Sequence, residues 1–217
     1  MVWEVLRILT SSGETTMSIT AIVVNFLSRL GMDGYILVSE YIPKSCVMAC
    51  SIGFSIGKSA LGMIFVDKSV LEKLPRECQD FILAHELIHI IKNHSIMKLV
   101  VRYAFQMSLS MCNEIMNKSI KNNDVVGLIF SLLLLFISLM IQEADANTVK
   151  RQELEADATA AQLIGCGGTS CAVKFLLEMK NMGVNVSHVN VLGLPALTID
   201  ERINNLKQLM VSYGCGT

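Results

Sequence analysis

The pentapeptide HELIH, His85 to His89, narrows what this chain can be more than any other stretch. Its two histidines stand four positions apart inside an otherwise apolar run, FILAHELIHIIKNH. On a helix, residues i and i+4 share one face about 6 Å apart along the axis, so both imidazoles can address one ion. Zinc suits such a pair because it takes nitrogen and carboxylate ligands tetrahedrally and can leave one position for water. Glu86 is rotated about 100° from His85, which keeps it out of that coordination position and lets it act on the water as a general base. The competing reading is a buried helix with incidental histidines. A third ligand separates the two.

A third histidine in the arrangement HExxHxxGxxH would need glycine at position 92 and histidine at position 95. The chain has Lys92 and Ser95 there, and His94 falls one residue early. The other large class of such sites uses a downstream glutamate with an aspartate four residues later, which hydrogen-bonds a zinc-bound histidine and fixes its tautomer. Of the twelve glutamates only Glu153 meets this condition, with Asp157; Glu143 has Asn147 instead. The reading is one zinc on His85, His89 and Glu153, with Asp157 behind the ligands and Glu86 as base.

Composition sets the surroundings. Hydrophobic residues make up 52% and charged residues 17% of the 217, with a mean hydropathy of +0.51. That implies membrane contact or an unusually large core. With a net charge of −1, nothing points to a nucleic-acid surface. The seven cysteines are odd in number and scattered, which argues against a disulfide framework. Cys78, Cys166 and Cys171 are accordingly expected as free or buried thiols facing a reducing interior. The opening MVWEVLRILTSSGETT turns polar too soon for a signal peptide.

With no repeat or linker, one domain over 1–217 is the simplest organisation. A helix is expected over Met17 to Gly31, then strands in YILVSEY, CVMACSIGFSIG and LGMIFVD, the last two joined by a hairpin at GKSA. Pro75 opens a helix that runs to about His94. A separate helix holds KRQELEADATAAQLIG, stopped by Gly165, and IDERINNLKQLM reads as a terminal amphipathic helix. The expected fold is α+β and mainly helical, with a small antiparallel sheet.

Between the two ligand helices, about 95–142, lies an apolar insert. VVGLIFSLLLLFISLMI, Val125 to Ile141, has about 17 residues without a charge, the lower bound for a membrane helix. Its partner, SIMKLVVRYAFQMSLSMCNEIM, carries Lys98 and Arg102 on one face, placed to snorkel to headgroups. A soluble core pair and a membrane hairpin both fit this pattern. Composition favours lipid contact through 96–141, with the catalytic part on the cytoplasmic side; a soluble cytoplasmic protein is the alternative.

The chain resembles the HtpX-like and CAAX-prenyl-protease-like zinc endopeptidases, a branch of the gluzincins. IGKSALGMIFVDKSVLEKLPRECQDFILAHELIHI is similar to that family's strand, loop and active-site helix, KRQELEADATAAQLIG to its glutamate-ligand block, and TIDERINNL to its closing arginine segment. The resemblance implies a zincin-like fold, with Glu153 as ligand, Asp157 on a zinc-bound histidine and Arg202 near the site. It also implies an edge strand around Cys46 to Ile56, with Gly53, Phe54 and Ser55, that binds an extended polypeptide substrate by β-augmentation. Misfolded or membrane-associated proteins are the implied substrates. The chain departs from the pattern with Lys150 for arginine, Ile52 for asparagine, and Leu194 where a histidine precedes Pro195; His188 is the nearby candidate for that histidine's role. A non-catalytic zinc-binding membrane scaffold is the other class of function that fits.

Overall fold

The structure, a computed structural model, describes residues 19–43, 48–183 and 197–215. Cys46, His188, Leu194 and Pro195 lie outside the described residues. The described chain forms helix α1 (Ile19–Arg29), strands β1 (Asp33–Ser39), β2 (Ala49–Ile56) and β3 (Ser59–Val66), then helices α2 (Lys68–Leu71), α3 (Arg76–Ile91), α4 (His94–Asn122), α5 (Val125–Ile164), α6 (Cys166–Asn181) and α7 (Ile199–Ser212). Helices around a small sheet agree with the α+β expectation. The sheet, however, is mixed and not antiparallel: in the order β1-β3-β2, β3 runs antiparallel to β2 and parallel to β1. The tight turn at Gly57, where φ is 60°, forces its two strands antiparallel. β1 reaches β3 only through a longer crossover, so it is free to pair in the same direction.

Helix α3 carries HELIH through the middle of the molecule. Leu83, Ala84, Leu87 and Ile90 are all 0% exposed, as expected of a helix that is apolar on every side. Gly53 and Gly62 face each other across the β2–β3 ladder. A Cβ on Gly53 would stand 2.9 Å from Ile90 Cγ2, and one on Gly62 2.8 Å from Ile90 Cδ1. The two glycines therefore let the sheet seat directly on α3. Phe26, Ile64, Leu87, Ala160 and Leu206 join α1, β3, α3, α5 and α7 in one core.

Two helix boundaries differ from the sequence expectation. Asn93 adopts φ 60° and ends α3 at Ile91, so His94 opens a new helix instead of closing the old one. The apolar segment and the Glu153 block, expected as separate helices, form one 40-residue α5, about 60 Å long. Nothing between them breaks a helix, and Asp124 caps its start by accepting from the Val126 and Gly127 N–H groups.

Helices α4 and α5 pair antiparallel as a hairpin whose seam holds Ser108, Cys112, Ser119, Ser131 and Ser138, while Arg102, Gln106, Asn113, Glu114 and Lys118 of α4 stand exposed. The Ser108 and Ser138 hydroxyls meet across the seam, and Cys112 Sγ donates to the Ser131 carbonyl. Gly127 allows the closest approach, since a Cβ there would lie 2.0 Å from Ser119 Oγ. Outward stand Leu132, Phe136, Met107 and Tyr103, each more than 60% exposed.

The cysteines correct the expectation of free thiols. Cys78 of α3 is bonded to Cys171 of α6 with Cα atoms 5.2 Å apart, and Cys166 to Cys215 at 5.5 Å. Cys50 is also disulfide-bonded, and among the described residues Cys112 alone is a free thiol. The partners are 93 and 49 residues apart, so local spacing could not reveal them.

Candidate metal centre

His85 and His89 project from one face of α3 towards Glu153 on α5. Their Nε2 atoms stand 3.1 Å apart, and each lies 3.4 Å from a Glu153 carboxylate oxygen. Zinc bonds of about 2.0–2.2 Å at tetrahedral angles place ligand atoms about 3.3–3.5 Å apart. The histidine pair is near that spacing, the two histidines approach different oxygens of Glu153, and the three ligand atoms lie within 4.8 Å of one another, so these residues could hold one ion. Glu143, nearly three turns earlier on α5, is not part of the group.

Asp157 lies one turn beyond Glu153 and is 0% exposed. Its Oδ1 faces His85 Nδ1 at 2.9 Å, while Arg202 of α7 donates to it twice, Nε to Oδ2 at 2.8 Å and Nη2 to Oδ1 at 2.7 Å. A paired fork of this kind fixes the carboxylate, which lies against the imidazole of His85. The sequence-predicted Arg202 is thus brought to the site, where it touches Asp157 and approaches Glu153 Oε2 at 3.8 Å.

Charge is arranged to favour a cation. Burial opposes an imidazolium at His85, yet Asp157 and Glu153 outweigh it and lift its pKa to about 9. Burial likewise opposes ionised Glu153, but the two histidines hold its carboxyl well below the usual range. Asp157 is also held down, against burial, by Arg202 and His85. Buried carboxylates kept ionised around two convergent imidazoles are the surroundings a divalent ion needs.

Glu86 faces the same cavity, a cleft of about 290 Å³ with apolar walls that include Phe81, Leu176 and Met179. The Ser51 hydroxyl donates to Glu86 Oε2 at 2.8 Å, and the Ser95 hydroxyl donates to the Ser51 carbonyl at 3.1 Å. Neither serine was visible as a site residue in the sequence, because nothing in a strand pattern says which helix it will face. Lys98 was missed for the same reason. Expected to snorkel outward, it turns inward, with Nζ 3.3 Å from Glu153 Oε1.

Gly53, Phe54 and Ser55 sit on β2, which is an edge of the sheet. Alternation directs the N–H and C=O of Ala49, Ser51, Gly53 and Ser55 outward. Asn93 occupies those of Ser55, accepting from its N–H at 2.6 Å and donating to its carbonyl at 3.1 Å. Ser95 likewise takes the Ser51 carbonyl, so the open part of the edge is the Ser51 N–H and the two groups of Gly53, beside Glu86.

A family model described as peptidase family M48 matches residues 51–208. Comparisons with curated proteins and with solved structures return no match. The matched range holds Ser51, the HELIH helix, the hairpin, Glu153, Asp157 and Arg202, and it covers most of the chain. Its members are metallopeptidases, typically zinc-dependent. The chain belongs to peptidase family M48.

Proposed function

We propose that this chain is a zinc-dependent endopeptidase of zincin-like fold, held at a membrane by the α4–α5 hairpin. The observation behind it is the convergence of His85, His89 and Glu153 in a cleft that also presents Glu86. Zinc held by His85, His89 and Glu153 would supply a Lewis acid able to polarise the scissile carbonyl and acidify a water. Glu86 accepts that water's proton and hands it to the leaving amine. Ser51 holds one of its carboxylate oxygens and leaves the other to receive the proton. An extended substrate pairs with the Ser51 N–H and the outward groups of Gly53, which gives affinity with little demand on side-chain identity. The apolar walls of the cleft favour a bulky apolar side chain next to the cleaved bond.

The hairpin's construction supports lipid as its surroundings. On α5, Ser131, Ser138 and Gly127 line the seam while Leu132, Leu133 and Phe136 face out, the arrangement of a helix packed in lipid; α4 is amphipathic, with Arg102, Glu114 and Lys118 exposed. The stretch from Val125 to Gln142 is uncharged over about 27 Å. The disulfides favour the oxidising face of that membrane for the zinc-bearing body. Lys118 and Lys121, at the tip of the hairpin, then lie on the cytoplasmic face, where short basic loops are favoured.

Purified full-length protein in detergent tests the reading through its metal content and its action on an unfolded protein. We expect about one zinc per chain and hydrolysis that stops on chelation and returns with zinc. Zinc without hydrolysis supports the non-catalytic scaffold instead, and absence of zinc ends both.

A further inference from the structure

His94 belongs to neither the ligand set nor the cleft's base, yet it is buried at 4% exposure against His89. The two Nδ1 atoms lie 2.9 Å apart, and the rings meet edge-on with centroids 5.0 Å apart and planes at 71°. Imidazole nitrogens at that separation share one proton, so one nitrogen donates and the other accepts. The far side of His89 decides which. Its Nε2 is the atom facing His85 and Glu153, so a metal takes the lone pair there and leaves the proton on Nδ1. His94 Nδ1 is then the acceptor, and its own proton sits on Nε2, which faces Glu155 Oε2 at 3.6 Å. Glu155 is in turn held by Lys92 at 2.9 Å.

We propose that His94 is the positioning residue of the second zinc histidine, accepting the Nδ1 proton of His89 with Glu155 behind it. It does for His89 what Asp157 and Arg202 do for His85, fixing tautomer and ring direction. The backbone is built for this. In an unbroken helix residue 94 would stand about 140° round from residue 89, facing elsewhere. The left-handed turn at Asn93 ends α3 and returns residue 94 to residue 89. The same turn puts Ser95 on the carbonyl of Ser51 and Lys98 on Glu153, so the base of the hairpin forms the outer wall of the metal site.

This inference rests on the zinc reading above, and the test separates the two. Zinc affinity of the full chain in detergent, measured by competition with a chelator, is compared for His94→Asn and His94→Leu. These side chains are close in size, but only asparagine offers an acceptor. We expect leucine to weaken zinc binding about 10–100-fold and to shift the visible spectrum of the cobalt-substituted protein, with asparagine close to wild type in both. Equal loss in the two variants, or no loss in either, would overturn the role of His94 while leaving the metal site in place. Nitrogen NMR of the zinc-loaded wild type needs no variant to fold: His94 should carry its proton on Nε2, and a proton on Nδ1 overturns the proposal. A wild-type chain that binds no zinc removes the metal reading itself.

Discussion

Glu86 and Glu153 are both glutamates in one cleft, and their surroundings give them different work. Glu153 is locked between two imidazoles, whereas Glu86 has one oxygen on Ser51. Glu86→Gln should therefore keep zinc and lose about 10²–10⁴-fold in hydrolysis, because the amide cannot take a proton. Retained activity in that variant would sink the general-base role. Glu153→Ala should strip most of the metal and Glu143→Ala none, which metal analysis of the two proteins decides. His85 offers a pH test on metal-free protein. Its folded pKa, about 9, is raised above the unfolded value near 6.5. The stability it adds is complete below about 6.5 and is lost as pH rises through about 9. Thermal melts of the zinc-free chain should accordingly fall across that window, and a flat profile would contradict the charge arrangement described here.

At the scale of elements, the hairpin and the edge strand interpret each other. Asn93 ends one helix, starts the next and occupies the Ser55 edge groups, so one residue sets both the hairpin's origin and the length of open strand. The hairpin itself has little core to lose: the apolar window of α5 is only 11% buried. Replacing Leu133, which is 55% exposed, together with Leu134 by serine should move part of the protein into the soluble fraction with its activity intact. A hairpin packed as core would instead lose several kcal/mol through cavities and unsatisfied hydroxyls, and the variant would aggregate. Wild-type protein that is soluble without detergent would rule out the membrane anchor directly.

For the whole molecule, the disulfides join what the core already packs. Cys78–Cys171 ties α3, which carries His85 and His89, to α6, and Cys166–Cys215 ties α6 to the chain beyond α7. Cys78→Ser with Cys171→Ser removes a closure of 93 residues, which loop entropy values at about 4–5 kcal/mol. Denaturant unfolding of the double variant should show a loss of this order, smaller where the unfolded chain keeps residual structure. Thiol labelling of unreduced, denatured protein should find Cys112 reactive and these four cysteines blocked. Labelling of all four would refute both the pairing and the oxidising-face assignment built on it.

The chain's own spacing determined the candidate site, because that part is local. His85 and His89 share a helical face, Glu153 and Asp157 repeat the interval, and Gly57 turns the hairpin, all through backbone geometry that a few neighbouring residues dictate. The capping of α7 by Thr198 and Glu201 is of the same kind. Tertiary structure decided everything that depends on which faces meet. Helical periodicity marked Lys98 as part of a polar face but could not say that this face looks at Glu153 and not at lipid. Strand patterning identified β1 but suggested an antiparallel sheet, whereas its pairing with β3 is parallel. The cysteines found partners dozens of residues away, and His94 became the neighbour of His89 only because Asn93 turns left-handed between them. Periodicity encodes an orientation about one axis; the meeting of two axes is set by packing, and packing belongs to the whole chain.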